Sequence, residues 1–204
     1  IPLNEKLVLV GMNGWYDYRF SELKELDAIV RMKKLYWYDR FIQREGTDLE
    51  VNDRLLQETK NLLDILSAKQ LKVIFSTHFV PKKDFIVYQS APYERWNNLN
   101  AFLGSESLGD LLDQYDNITH VVFGHTHRRF ADKVIGGATY SCRPFGYYYE
   151  WQLTRDFVLM NHLVDSYNPM KLRTLLRAHD SEFSAYRTKH LHEEFEKAMT
   201  VILY

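Results

Sequence analysis

Cysteine is almost absent from these 204 residues: Cys142 stands alone, so no internal disulfide can form. A single thiol fits a reducing compartment, and a cytoplasmic location is expected. Proline and glycine are scarce too, at 5 and 9 residues, which excludes collagen-like and linker-rich architectures. No apolar run approaches the roughly 20 residues of a membrane-spanning helix. No basic-then-apolar leader opens the sequence. Neither sign of charge dominates, since 26 Lys and Arg stand against 27 Asp and Glu for a formal net charge of −1. Such a balance carries no overall electrostatic footprint for an anionic membrane, and it argues against nucleic acid as a partner.

What is present reads as a globular chain, with 46% hydrophobic and 26% charged residues. No repeat, low-complexity segment or linker interrupts it, so a single domain over residues 1–204 is expected. Apolar runs at Leu7–Val10, Leu71–Phe75 and Thr119–Phe123 read as buried strands. Helical spacing starts at Ser21, a candidate N-cap, and again near Asn52, a second candidate cap. Further helices are expected over "YERWNNLNAFLG" and "SESLGDLLDQYD" and through most of the tail from Pro169. Short β-rich segments are expected at Ala131–Val134, Ala138–Cys142 and Phe157–Leu163. Strands alternating with helices indicate an α/β fold.

The third apolar strand runs into "FGHTHRRF", which presents His125 and His127 directly after Gly124. Composition alone gives roughly 0.01 expected occurrences of Gly-His-x-His in a chain of this length. The loop at the carboxyl end of a buried strand is where open α/β sheets hold ligands. A glycine there lets backbone approach an ion closely. The second strand ends in "STHFVP" and presents His78 in the same way. Three imidazoles at the ends of two strands point to a shared metal site. Imidazole suits zinc, iron or manganese rather than calcium.

"GHTH" at 124–127, "STH" at 76–78 and the segments "GWYDY" and "THFVP" resemble the calcineurin-like metallophosphoesterases, and most closely a bacterial branch of phosphoesterases. The likeness covers roughly Leu7 to Trp151. It implies an α/β sandwich of mixed β-sheets flanked by helices. It also implies two divalent transition metal ions (Mn, Fe or Zn) and hydroxide attack on a small phosphoester substrate. By this resemblance His78 and His125 hold one ion and His127 the other. The family also carries Asp-x-His, Gly-Asp and Gly-Asn-His motifs ahead of this part of the fold, and no such set opens this chain. The bridging carboxylate and the proton-donating histidine are therefore missing, and no catalytic residue is identified. The chain reads as the C-terminal portion of such a fold, without its N-terminal part. A start at Ile1 rather than Met agrees with that, and the missing part is expected on another segment or a second chain. By itself the chain is expected to be inactive.

Other residues have two readings. Arg128 and Arg129 follow the histidines and either grip a substrate phosphate or belong to a solvated turn. Arg143, in a glycine- and proline-bearing loop, is the better phosphate candidate. Cys142 reads as a buried structural thiol. Trp15, Tyr16, Tyr18 and Phe20 either wall a substrate or pack the early helices. Three functions compete: a metal-dependent phosphoester hydrolase supplying the later ligands, a non-catalytic remnant that binds a partner, and a nuclease.

Overall fold

Apolar segments without helical periodicity become neighbouring strands in a computed structural model that describes residues 1–204. Six strands form one sheet: β1 (Pro2–Asn4), β2 (Leu7–Met12), β3 (Lys72–Thr77), β4 (Ile118–Phe123), β5 (Lys133–Ile135) and β6 (Ala138–Cys142). Their order is β1-β2-β3-β4-β6-β5. The four inner strands run parallel, and the short edge strands β1 and β5 run antiparallel to their neighbours. β3 is buried on both faces through Val73, Ile74 and Phe75, the pattern of a central parallel strand. The architecture is α/β with one mixed sheet, where the resemblance implies a sandwich of mixed sheets. β1 lies along Leu7–Val10 on its outer side.

Helices fill the crossovers. Between β2 and β3 come α1 (Leu26–Tyr36) and α2 (Asp48–Ala68). α1 starts at Leu26 rather than Ser21, whose hydroxyl instead accepts from Leu23 N at 3.0 Å in a local turn. Its last carbonyls, Lys34 and Leu35, accept from the Arg40 guanidinium. α2 is capped by Thr47, not Asn52. Glu50 N donates to Thr47 Oγ1, and Thr47 N donates to the Glu50 carboxylate, a reciprocal capping box. Asn52 is buried inside the helix. The segment Glu94–Phe102 is 3₁₀ rather than α, and α3 (Glu106–Leu112) follows it. No helix is long and apolar enough to cross a membrane.

The chain divides into two compact units. The first comprises Ile1–Thr126 and Phe130–Cys142 and holds the whole sheet. Its core includes Val10, Val73, Phe75, Val121, Phe123 and Tyr140, with a second cluster around Trp15, Tyr16, Phe79 and Phe102. The second unit comprises His127–Arg129 and Arg143–Tyr204. It contains α4 (Gln152–Met160), α5 (Leu172–Ala178) and α6 (Asp180–Ala198). Its core is Leu153, Phe157, Val158, Leu172, Leu176 and Phe183. The β-rich reading of Phe157–Leu163 is therefore corrected. Buried Leu153, Thr154, Phe157 and Val158 recur at helical spacing, and that amphipathic face outweighs the strand propensity of the "FV" pair.

Glycine decides one close approach in the first unit. A Cβ on Gly104 would sit 1.9 Å from the Val80 carbonyl oxygen, whereas one on Gly11 would meet nothing within 4 Å. Gly104→Ala is expected to lower unfolding stability by at least about 2 kcal/mol, since overpacking against backbone cannot relax cheaply. Gly11→Ala is expected to stay within about 0.5 kcal/mol of the parent. Urea unfolding of both variants checks the pair, and equal midpoints would refute the packing argument.

Candidate metal centre

Parallel pairing delivers the carboxyl ends of β2, β3 and β4 to the same rim. Two backbone hydrogen bonds extend the ladder past the strands: His78 N donates to Asn13 O, and Gly124 N donates to His78 O at 3.2 Å. The loop after β2 can lie against β3 because residue 14 is glycine. It sits at φ +78°, and a Cβ there would come within 2.9 Å of Thr77 Oγ1. Thr126 N donates back to Gly124 O at 2.8 Å, closing a three-residue turn with His125 at its apex and φ +66°. A non-glycine residue in that turn is strained, at a cost of about 1–3 kcal/mol.

The turn sets the imidazole of His125 against that of His78, with ring centroids 4.6 Å apart. Phe79 and Trp37 flank the His125 ring at 4.4 and 5.9 Å. His125 Nε2 lies 3.0 Å from Phe102 O. A carbonyl only accepts, so Nε2 carries the proton and the neutral ring keeps its lone pair on Nδ1. That lone pair faces His78 Nε2 at 2.8 Å. Two nitrogens each about 2.0–2.1 Å from one ion, at right angles to tetrahedral angles, stand about 2.9–3.4 Å apart. The facing pair, at 2.8 Å, lies a few tenths of an ångström inside that spacing. The Phe102 carbonyl is the kind of second partner that holds a ligating imidazole in its tautomer.

His127 belongs to the second unit, so the structure brings together two of the three histidines within one unit. It too has a positive φ, +52°. Its Nδ1 lies 2.8 Å from Glu150 Oε2, and the same carboxylate oxygen accepts from Tyr147 N at 2.9 Å. With Nδ1 as donor, Nε2 of the neutral ring is left to accept or ligate. The Tyr147 ring sits edge-on at 4.4 Å. Glu150 has no sequence signal of its own, because a loop twenty-three residues after His127 carries no periodicity that names its partner. No group of three or more His, Cys, Asp and Glu side chains is gathered to hold a metal ion.

The remaining candidates divide by environment. Arg128 is exposed in the second unit. Arg143 follows β6 directly, and its guanidinium lies 3.4 Å from Met199 O. Arg129 pairs with the buried Glu194, whose other oxygen accepts from Leu153 N at the start of α4, so Arg129 serves packing. The chain's one Gly-Asp pair, Gly109-Asp110, lies in α3, where Asp110 pairs with Arg19. In the aromatic run after β2, Trp15, Tyr16 and Phe20 pack in the core, and Tyr18 also lines a cavity of the first unit. Trp15 Nε1 and the Tyr18 hydroxyl both donate to Asp48, which also pairs with Lys33 at 2.6 Å. Burial and the charge of Asp48 push the hydroxyls of Tyr16 and Tyr18 well above the usual phenol range.

Burial also raises the Cys142 thiol to about 11, although Thr126 opposes the shift through a 3.6 Å contact. At pH 7.5 the thiol is neutral and inert. Iodoacetamide is expected to label the folded protein about 100-fold more slowly than the urea-unfolded chain, and comparable rates would refute a buried structural role. No family model, curated protein or solved structure matches this chain.

Proposed function

We propose that the chain supplies the later ligands of a metal-dependent phosphoester hydrolase, with His78 and His125 holding one divalent ion and His127 reaching a second. One observation carries this reading. Both histidines of Gly-His-Thr-His have one ring N–H held by a fixed acceptor, Phe102 O for His125 and Glu150 for His127. Each therefore presents a defined lone pair, the arrangement that ligating imidazoles adopt. In this reading the single sheet is one layer of the metallophosphoesterase sandwich.

The chemistry supplied by two bound ions is a hydroxide at neutral pH and a clamp for phosphoryl oxygens. This chain's own residues orient and hold. Phe102 O and Glu150 fix two tautomers, and Phe79 and Trp37 restrict the His125 ring. Arg143 and Arg128 are the cations this reading assigns to a phosphate. Neutral imidazoles bring no negative charge to offset two divalent ions, so this reading needs a carboxylate in addition to the three histidines. A second reading is a binding module without catalysis. The His78–His125 hydrogen bond favours it, since that bond satisfies both rings in the absence of an ion.

Isothermal titration with Mn²⁺ or Zn²⁺ separates the two. The hydrolase reading expects binding that His125→Ala abolishes and that Glu150→Gln weakens by about 10- to 100-fold. Unchanged affinity in both variants, or no binding in the parent, selects the binding module. The purified chain is also expected to leave p-nitrophenyl phosphate intact with metal present, because it lacks a proton donor typically worth about 10²–10⁴-fold. Strong metal-dependent turnover by these residues alone would overturn that division of labour.

A further inference from the structure

The near-zero net charge averages over the chain and hides a basic surface on the first unit. From Arg31 to Arg44 the sequence carries five cations, Arg31, Lys33, Lys34, Arg40 and Arg44, against one carboxylate, Asp39. Only Lys33 is ion-paired, to Asp48. Between these cations stand large aromatic side chains that the fold leaves in solvent: Tyr36 is 59% exposed, Tyr38 76% and Phe41 65%. Trp96, 42% exposed, meets Tyr36 edge to face at 6.3 Å. Tyr38 and Phe41 pair at 5.7 Å. The guanidinium of Arg40 lies 4.6 Å from the Phe41 ring, and that of Arg95 lies 5.0 Å from Trp96. Lys33, Lys34 and Arg40 also line a cavity of about 340 Å³, together with Tyr18, Leu26 and the Asp48 that pairs with Lys33.

Exposed rings of this size mark a surface that another molecule covers. The unpaired cations select a polyanion. The rings select one with planar faces, because ring pairs with an arginine stacked on them are stacking platforms for bases. An anionic membrane is met instead by a long apolar helix face. Here Tyr38 and Phe41 lie in a 3₁₀ turn of four residues, and Trp96 comes from a separate segment. We propose that the last turn of α1, the Tyr38–Phe41 turn and Arg95–Trp96 together bind single-stranded nucleic acid, bases on the rings and phosphates on Lys34, Arg40 and Arg95. Trp37, inside the same segment, lies 5.9 Å from the His125 ring, so a bound strand would pass beside the His78–His125 pair. As a statement about binding, the inference stands apart from the metal centre. As an assignment of substrate, it rests on the hydrolase reading.

Fluorescence anisotropy of a labelled 15-mer oligothymidylate with the 204-residue protein, in EDTA so that no hydrolysis occurs, tests the binding. Saturable binding is expected at 50 mM salt. Three phosphate contacts would weaken it roughly 20-fold at 200 mM. Tyr36→Ala and Trp96→Ala are each expected to weaken it about fivefold or more, and Lys34→Glu with Arg40→Glu to abolish it. These side chains are exposed, and unfolding midpoints equal to the parent's would confirm that the variants fold. No binding at 50 mM salt overturns the inference. So does binding that the aromatic variants leave unchanged and inorganic polyphosphate competes equally, which would show plain charge attraction. Binding to phosphatidylserine vesicles but not to the oligonucleotide would replace it with a membrane surface. Because the assay contains no metal, its failure leaves the hydrolase reading standing, and failure of metal binding leaves this one standing.

Discussion

Parallel pairing of β2, β3 and β4 puts three strand ends on one rim, and the backbone bonds beyond the strands hold whatever follows there. The register runs unbroken from Leu7 opposite Lys72 to Met12 opposite Thr77. Because side chains alternate along a strand, a one-residue slip would exchange the two packed faces of β3, misplacing Val73, Ile74 and Phe75, and would move His78 away from Gly124. Phe75 and Val121 are completely buried, so that slip is opposed by several side chains worth about 1.5–3 kcal/mol each. The meeting of two imidazoles 47 residues apart is thus fixed by the core rather than by any attraction between them.

A second tie fixes the far side of the same loop. The Thr47–Glu50 capping box sets the first turn of α2, and the Asp48 that follows Thr47 accepts from Trp15, Tyr18 and Lys33. One carboxylate joins the segment after β2, helix α1 and helix α2. Lys33 and Asp48 are both largely shielded, so removing either would leave the other charge poorly solvated. The consequence reaches the rim. Tyr16, wholly buried, packs on Phe79 and Phe102, and those two residues supply the ring and the carbonyl that hold His125. The "GWYDY" segment therefore acts on His125 through the packing of Tyr16 on Phe79 and Phe102.

Much of this was legible in the sequence, for physical reasons. β3 and the second half of β4 announce themselves because central strands need continuous apolar runs, and the glycine and histidines that end β4 are local to it. β1 was not legible: three residues carry no period. The cap of α2 could have been read from "TDLE", a Thr with Glu three residues on, ahead of the apolar spacing that drew attention to Asn52. The strand reading near Phe157 failed because the packing face of α4 is set by Leu172, Leu176 and Phe183, which are distant in sequence. Glu150 and the Phe102 carbonyl were beyond reach for the same reason, being contacts of tertiary structure. The division into two units has no linker to mark it, since the chain enters the second unit for three residues at His127, leaves it, and returns at Arg143. The basic aromatic surface was hidden by summation: a net charge is one number for the whole chain and cannot show where the carboxylates are absent.

The backbone at Gly-His-Thr-His carries the final argument. Glycine adopts positive φ without steric cost, and the chain uses it so at Gly14, Gly46, Gly136, Gly137 and Gly146. At residues 125 and 127 it places histidine in the same region, at φ +66° and +52°. If the segment were only a turn, glycine at either position would relieve about 1 kcal/mol or more of strain. Tyr18, Gln70 and His162 also take positive φ, so what sets the two histidines apart is the partners their rings hold. Both have one nitrogen fixed by a neighbour's oxygen, and His125 turns the other toward a third imidazole. A solvated turn would leave those nitrogens to water. Strained backbone, defined tautomers and a strand-end origin are separate facts, and the metal-ligand role proposed above draws on all three.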